Sequence, residues 1–233
     1  MSEPTTAPAG RPAGTDDLPD GLVQGDDGVV RCWWTGDHVD YRAYHDEQWG
    51  RPVVDDRALL EKLALEAFQA GLSWLTVLRR RETLRAAFDG FDPGAVARYG
   101  DADVERLLAD PGIIRHRGKV EAVVAQARAY PAVVAEHGSL AALVWAHEAD
   151  RPEAPRTSTD VDASTPRSTA LARELKRLGM RFVGPTTVHA LLQACGVVTD
   201  HLVGCHARQR CLDERDALRR RSHPVASSRR TGR

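Results

Sequence analysis

Apolar residues recur at helical spacing along most of this 233-residue chain, whereas the alternation typical of β-strands is scarce. The clearest case is 56–69, where leucines and alanines fall on one helical face after an Asp55-Asp56 start signal. Asp-Gly and Asp-Pro-Gly turn signals separate short helical segments. Further helices are expected through Trp74 and Leu78 and at 93–99, 102–109, 117–130, 139–147 and 168–178. The sequence therefore predicts an all-α fold, a helical bundle.

Composition changes at both ends of the chain. Residues 1–29 and the arginine-rich 207–233 are rich in Pro, Gly, Ser, Thr or charge and lack apolar periodicity, so we expect two disordered tails. The folded helical domain then spans 30–206. Within it, 150–167 contains three prolines and is the best candidate for a loop dividing two helical lobes.

Location and charge narrow the possible partners. No segment approaches the roughly 20 apolar residues of a membrane helix, and the first 31 residues lack the apolar core of a signal peptide. We therefore expect a cytoplasmic protein without membrane contacts, and nothing in the sequence suggests more than a monomer. A formal net charge of -1 gives no global basic surface, so nucleic-acid binding would have to rest on local chemistry.

Two cysteine–histidine pairs stand near the two ends of the predicted domain. Cys32 precedes His45, whereas His201 and Cys205 are spaced i, i+4, which places both on one face of a helical turn. Thiolate and imidazole ligands in this number suit tetrahedral zinc.

Spacing alone leaves the metal site open. The two pairs are too far apart to match a short zinc-finger pattern. His206 and Cys211 lie close enough in the sequence to be competing ligands. A buried Cys205 beside a solvated His201, with no metal, is the alternative.

The segment from Leu175 to Gly196 has the pattern of a helix, a tight turn bounded by Gly179 and Gly184, and a second helix. In a helix-hairpin-helix, glycine permits the turn, and unpaired N–H groups at the start of the second helix can hold a DNA phosphate. Such a motif needs no basic patch. A hairpin that only packs is the alternative.

Aromatic residues are concentrated just after the predicted start of the domain. A run of seventeen residues holds five of the chain's thirteen Trp, Tyr and Phe residues: Trp33, Trp34, Tyr41, Tyr44 and Trp49. We group Trp74 with them. The cluster is either a core built around large rings or a pocket that stacks a flat ligand such as a base.

One acid interrupts an otherwise apolar stretch. Glu66 lies among leucines, alanines and a phenylalanine at 63–68, and a buried charge is rare without a partner. On a solvated face it would have no special role. In the aromatic pocket, its carboxylate would accept hydrogen bonds from an exocyclic amine and stabilise positive charge.

Several motifs in order resemble the type I 3-methyladenine DNA glycosylases. They are Cys32-Trp-Trp34, Tyr41-Arg-Ala-Tyr44-His45-Asp-Glu-Gln-Trp49-Gly50, Leu65-Glu66-Ala-Phe-Gln69-Ala70-Gly71-Leu72-Ser73-Trp74, Gly112-Ile-Ile-Arg-His-Arg-Gly-Lys119, Phe182-Val-Gly184, Gln193-Ala-Cys-Gly196 and Asp200-His201-Leu-Val-Gly-Cys205. The resemblance covers nearly all of 30–206. It implies an all-helical member of the helix-hairpin-helix glycosylase superfamily, acting in base excision repair on alkylated double-stranded DNA.

The same resemblance implies a role for individual residues. One structural zinc ion would be held by Cys32, His45, His201 and Cys205 and would join the two ends of the domain. Glu66 would be catalytic. The excised base would lie among Tyr44, Trp74, Trp34, Tyr41 and Trp49. DNA would contact Gln69, Gly71 and Leu72 near the lesion, and Gly184 and Thr186 would hold a phosphate.

The resemblance also implies the reaction. A base methylated at N3 is cationic and leaves as a neutral molecule after base flipping, so water can hydrolyse the N-glycosidic bond with little acid catalysis. No lysine follows Lys176, which predicts a monofunctional enzyme without strand cleavage. Two other functions are considered: a hydrolase with catalytic zinc, and a non-catalytic helix-hairpin-helix DNA-binding protein with structural zinc.

Overall fold

The computed structural model describes residues 18–148 and 154–222, and within these ranges it confirms the all-α prediction. The helices are α1 (Val39–Glu47), α2 (Asp56–Gln69), α3 (Trp74–Leu78), α4 (Arg81–Ala87), α5 (Pro93–Ala97), α6 (Asp101–Ala109), α7 (Arg117–His137), α8 (Leu140–Trp145), α9 (Pro166–Arg177), α10 (Pro185–Ala194) and α11 (Arg208–Ser222). Short 3-10 turns occur at Trp33–Thr35, Asp89–Phe91 and Ser158–Asp160. Two antiparallel strands, β1 (Leu22–Gln24) and β2 (Val30–Cys32), form a small hairpin.

Helix α2 lies at the centre of the molecule and has the predicted bounds. The Asp55 side chain accepts a hydrogen bond from the Ala58 N–H at 2.8 Å and caps the first turn. Gly71 lies just after the last turn with φ of +76°, a conformation that glycine adopts without strain. The C-terminal half of α2 is buried on every face, including at Glu66, because other helices pack around it.

Two apolar cores form the two lobes, and α2 and α7 contribute side chains to both of them. One core joins α2 and α7 to α8, α9 and α10, and the other joins them to α3, α4, α5 and α6. The expectation that 150–167 divides the lobes is wrong, because the helices on either side of this loop, α8 and α9, belong to the same core.

The described part of that loop packs instead against the N-terminal hairpin. Ser158 donates a hydrogen bond to the Asp20 carboxylate at 2.7 Å, and the Val203 N–H donates to the carbonyl oxygen of Pro155 at 2.8 Å. The loop thereby connects residues from both ends of the folded unit.

Helix α7 is longer than its apolar pattern predicts. It continues through Pro131 to His137, although proline removes one hydrogen bond from the helix interior. Ala129 and Val133 are buried in the core on either side of the proline, so packing outweighs the local preference to end the helix.

The predicted N-terminal tail is too long. Residues 18–29 are ordered, because Leu22 is buried and pairs across the hairpin with Cys32. Residues 1–17 of the predicted tail lie outside the described residues.

The predicted C-terminal tail also needs correction, since 208–222 form helix α11. Its contact face is narrow: Ala207, Cys211 and Arg215 are buried at i, i+4 and i+8. Ion pairs complete the contact, with Glu214 accepting from Arg51 at 2.8 Å. A helix held by buried arginine and ion pairs has no apolar stripe for sequence analysis to detect. Residues 223–233 lie outside the described ranges.

Among the described residues, no helix has both the length and the hydropathy of a membrane span.

Candidate active site and metal centre

The aromatic cluster predicted from the sequence lines a cleft of about 350 Å³ between α1, α2, α3 and α10. The predicted aromatic residues all contribute, together with Glu66: Trp33, Trp34, Tyr41, Tyr44, Trp49 and Trp74. The cluster is therefore the wall of an open site and not only a core of large rings. Its position at the meeting of four helices means that the cleft forms only when the whole bundle is assembled.

Edge-to-face packing holds the rings in place. The ring centroids of Trp34 and Tyr41 lie 5.8 Å apart and those of Trp34 and Trp49 lie 5.1 Å apart, both at nearly right angles. Tyr41 also accepts a hydrogen bond from the Leu75 N–H at 2.9 Å, which attaches α1 to the first turn of α3. Trp74 begins α3 and lies 5.1 Å from Tyr44 between ring centroids.

Glu66 lies in the cleft and not on a solvated face. Its side chain comes from the buried half of α2, and only 5% of the residue is exposed. Burial raises the pKa of this carboxyl to about 8, and the nearby charge of Lys62 opposes the rise. Among the described residues the carboxylate has no hydrogen-bond partner. A buried acid without a partner in a cleft is available to a ligand.

Tyr44 stands beside Glu66 and is almost completely buried. Burial raises the pKa of its hydroxyl well above the usual range, and the negative charge of Glu66 adds to the effect. The phenol therefore stays neutral at physiological pH and can donate a hydrogen bond into the cleft. Lys62 Nζ lies 5.8 Å from the centroid of the Tyr44 ring, so a cation lies close to the Tyr44 and Glu66 side chains.

The segment predicted to contact DNA lies at the edge of the cleft. Gln69 and Leu72 both line it, and 42% of the Leu72 side chain is exposed despite being apolar. Gly71 between them is exposed in its left-handed conformation. Gln69 is the last residue of α2, and Gly71 and Leu72 follow it, so the helix that carries Glu66 leads directly into the rim of the cleft.

The segment around Gly184 folds as α9, a turn and α10. Gly184 precedes α10, and Thr186 is exposed in its first turn, where N–H groups have no partner within the helix. Ala190 and Gln193 of the same helix line the cleft. Helix α10 therefore runs from the turn to the aromatic site.

The four cysteine and histidine residues meet in one buried cluster. Their ligand atoms all lie within 4.8 Å of one another, although they come from opposite ends of the described chain: Cys32, His45, His201 and Cys205. Cys205 Sγ lies 3.4 Å from both His45 Nε2 and His201 Nδ1. The hydrogen bond from the Cys32 thiol lowers the pKa of Cys205, and the two histidines add to this shift.

The arrangement around this cluster also suits a metal. His45 Nδ1 lies 2.8 Å from the Asp46 carboxylate, and His201 Nε2 lies 3.1 Å from the carbonyl oxygen of Trp49. Each ring therefore turns its other nitrogen toward the cysteines, as outer partners of metal-binding histidines do. Two thiol and two imidazole donors at these separations fit a tetrahedral ion and leave no position for a further ligand.

The competing ligands lie outside the cluster. His206 Nε2 lies 2.8 Å from Asp46, so it supports the carboxylate that orients His45. Cys211 Sγ lies 3.7 Å from the Trp49 carbonyl oxygen and packs beside Gly50. The alternative in which either residue replaces a predicted ligand is not supported by the geometry.

Sequence analysis gave no role to four residues of the cleft: Ser73, Val161, Ala190 and Gln193. Ser73 and Gln193 belong to the quoted motifs, which mark their segments without giving the two residues a function. Val161 lies in the loop before α9 and Ala190 lies on α10. No local pattern marks either of these two as a cleft residue.

Comparison with known proteins gives consistent matches over the region of the cleft and the cluster. The methyladenine glycosylase family matches residues 33–209. DNA-3-methyladenine glycosylase 1 of Escherichia coli (strain K12) is 45% identical over 179 residues, which cover 76% of this chain and 96% of that protein.

Solved structures agree. A crystal structure of a 3-methyladenine DNA glycosylase I superposes with a TM-score of 0.73 at 46% identity, covering 76% of this chain and 99% of the other. A variant of such an enzyme in complex with 3-methyladenine gives the same TM-score at 36% identity, covering 76% and 97%.

Proposed function

Because the chain belongs to the methyladenine glycosylase family, we propose that it is a DNA-3-methyladenine glycosylase of base excision repair. It hydrolyses the N-glycosidic bond of 3-methyladenine in alkylated double-stranded DNA. The observation that carries this function is the buried carboxyl of Glu66, which has no partner among the described residues and lines a cleft of aromatic rings.

The base enters the cleft by flipping out of the duplex. Extrusion costs a few kcal/mol and costs least for a damaged base that pairs poorly. Trp74 supplies the ring on which the base stacks, Tyr44 donates a hydrogen bond to a ring nitrogen, and Glu66 accepts from the exocyclic amine. The remaining wall of the cleft is formed by Trp34, Tyr41 and Trp49, which determine its width.

Glu66 is the catalytic group because its carboxylate stabilises the positive charge that the reaction involves. The base carries a positive charge before the N-glycosidic bond breaks, and the sugar carries a positive charge as the base departs. A carboxylate in a dry cleft stabilises such charge far better than it would in water. The base leaves as a neutral molecule with the electron pair of the N-glycosidic bond, and water adds to C1′ of the cationic sugar and loses a proton to solvent. No general acid is needed.

DNA is held on both sides of the cleft. Gln69, Gly71 and Leu72 contact the duplex near the lesion, where the exposed Leu72 fills space vacated by the flipped base. On the other side, α9 and α10 act as a helix-hairpin-helix. The N–H groups beginning α10, next to Gly184 and at Thr186, hold a backbone phosphate without any base contact.

One zinc ion is the cofactor, held by Cys32, His45, His201 and Cys205. All four positions of a tetrahedral site are protein atoms, so the ion has a structural role and the catalytic-zinc alternative loses its support. The metal ties the β2–α1 segment to the chain just before α11 and stabilises the fold.

Strand cleavage is not part of the activity. A lyase needs an amine nucleophile at the cleft, and the chain has three lysines. Lys119 donates to two main-chain oxygens, and Lys176 lies in the last turn of α9. Lys62 Nζ lies 5.8 Å from the centroid of the Tyr44 ring, and Lys62 is not among the residues that line the cleft. The enzyme acts as a cytoplasmic monomer whose partner is alkylated duplex DNA.

Release of free base tests the proposed function. Methylated duplex DNA is incubated with the purified protein, and released bases are separated by chromatography. Prompt release of 3-methyladenine, with 7-methylguanine retained in the DNA, is the expected result. A folded, metal-loaded protein that binds DNA but releases no base would support the alternative, a helix-hairpin-helix DNA-binding protein without catalysis.

A further inference from the structure

Gln193 lines the cleft and belongs to one of the quoted motifs, but neither the resemblance nor the proposed chemistry gives it a role. It lies in the last turn of α10, nine residues after Gly184, which places it about 13 Å along the helix axis from the turn. Its side chain forms part of the cleft wall.

A carboxylate behind the cleft determines how the Gln193 amide is turned. Gln193 Nε2 donates a hydrogen bond to Asp200 Oδ2 at 2.8 Å. Asp200 Oδ2 also lies 3.5 Å from Nε2 of His189, which is buried in α10.

The Asp200 oxygen that faces Gln193 accepts its hydrogen bond, as the oxygens of an aspartate side chain ordinarily do. A glutamine amide ordinarily presents either its NH₂ or its oxygen to a ligand by turning over, but turning here would set Gln193 Oε1 against Asp200. Nε2 is therefore committed to Asp200. Oε1 is left as an acceptor without a hydrogen-bond partner among the described residues.

We propose that Asp200 locks the Gln193 amide so that Oε1 faces the base as a fixed acceptor, which makes the pair a determinant of base specificity. Adenine carries an amine donor at position 6, whereas guanine carries a carbonyl acceptor there. A fixed acceptor can accept a hydrogen bond from the adenine amine, but it is repelled by the guanine carbonyl oxygen. The inference rests on the proposed function and adds a filter between 3-methyladenine and 3-methylguanine.

In these terms Asp200 is a positioning residue and Gln193 touches the base. Asp200→Asn leaves a neighbour that can accept or donate, so the Gln193 amide is free to turn toward a guanine-type base. Gln193→Met keeps similar length and removes the acceptor. Both variants weaken the filter, but only Gln193→Met loses a hydrogen bond to 3-methyladenine.

The experiment measures 3-methylguanine and 3-methyladenine released from the same methylated DNA and takes the ratio of their initial rates. The ratio cancels any general loss of active protein, and metal content is measured in each sample because Asp200 adjoins His201. Matched controls are Gln209→Met and Asp213→Asn, since Gln209 Nε2 donates to Asp213 Oδ1 at 2.9 Å on the exposed face of α11.

The ratio is expected to rise about 5-fold or more in both Asp200→Asn and Gln193→Met and to stay at the wild-type value in both controls. An unchanged ratio in folded, metal-loaded Asp200→Asn and Gln193→Met would overturn the inference while leaving the glycosylase activity established. A wild-type protein that releases neither base would overturn the proposed function, and the specificity filter with it.

Discussion

The ammonium group of Lys119 lies 2.7 Å from the main-chain oxygen of Phe68, at the point where α2 ends. The same nitrogen donates to the Ala70 carbonyl oxygen at 2.6 Å. Lys119 is buried in the first turn of α7, and burial lowers its pKa. One side chain therefore satisfies two carbonyl groups that the helix end leaves unpaired, and it sets the course of the rim segment that follows.

Replacing Lys119 by methionine removes the ammonium group and both hydrogen bonds but keeps an unbranched side chain that is only one atom shorter. We expect a loss of about 1–3 kcal/mol in the free energy of unfolding, because two carbonyl groups lose their charged donor. Affinity for DNA containing an abasic site should fall as well, since Gln69 to Leu72 lose their fixed course. Urea unfolding and a DNA titration measure the two effects.

Lys176→Met is the matched control, because Lys176 lies in the last turn of α9 and is exposed. It should leave both quantities nearly unchanged. Equal DNA affinities for the Lys119 variant and the wild type would show that the rim does not depend on this contact.

Glu66→Gln keeps the shape of the side chain and removes its charge. Excision of 3-methyladenine should fall by roughly 10²-fold or more in kcat, because a preorganised charge in a dry cleft is lost. The fold and DNA affinity should be retained. Single-turnover base release measures the change, with Glu105→Gln on the exposed surface of α6 as the control. Full activity in the Glu66 variant would remove this residue from the mechanism.

The pKa of Glu66 predicts how excision depends on pH. Since the carboxylate is the working form and burial raises the pKa of this group to about 8, kcat/KM should rise with pH and level off above that value. Below it, each unit of pH lowers kcat/KM by up to tenfold. The profile of Glu66→Gln should be flat over the same range. A flat wild-type profile between about pH 6 and 9 would contradict the assignment.

The same shift predicts the pH dependence of stability. The carboxyl has an ordinary pKa of 4.5 and a folded-state pKa of about 8, so the folded protein holds this proton more tightly than the unfolded chain. The free energy of unfolding should therefore fall as pH rises between these values, by a total of a few kcal/mol. The Glu66→Gln variant lacks this pH-dependent contribution to the free energy of unfolding.

Chemical unfolding of the wild type and Glu66→Gln at a series of pH values isolates the contribution. The variant should become progressively more stable than the wild type as pH rises, and the difference should level off above about pH 8. Parallel pH curves for the two proteins would show that Glu66 does not titrate in this way.

The metal cluster gives a prediction about stability. Cys205→Ser replaces a thiolate ligand by a weak one, so metal content and melting temperature should fall together. Elemental analysis and calorimetry of the same samples measure both. Cys195→Ser is the control, because this buried thiol lies outside the cluster and should leave the metal content unchanged. An unaltered melting profile in metal-free Cys205→Ser would contradict a structural role.

Local sequence patterns were reliable where one element determines its own structure. The α2 bounds follow from the Asp55 cap and the Gly71 exit, and the predicted turn before α10 follows from its glycines. Patterns failed where distant contacts decide the outcome. Helix α7 passes through Pro131, and α11 has no apolar stripe because Arg215 is part of its buried face.

The sequence by itself determined the helical class, the inventory of chemical groups and, through its motifs, the family. Those properties depend on residue identity and short-range spacing, which the chain carries before it folds. Tertiary structure decided which groups meet. It brought Gln193 beside the site of Glu66 and joined Cys32 to Cys205 in one buried cluster. The pKa of Glu66 likewise depends on burial by helices remote in the sequence, because desolvation is a property of the packed interior.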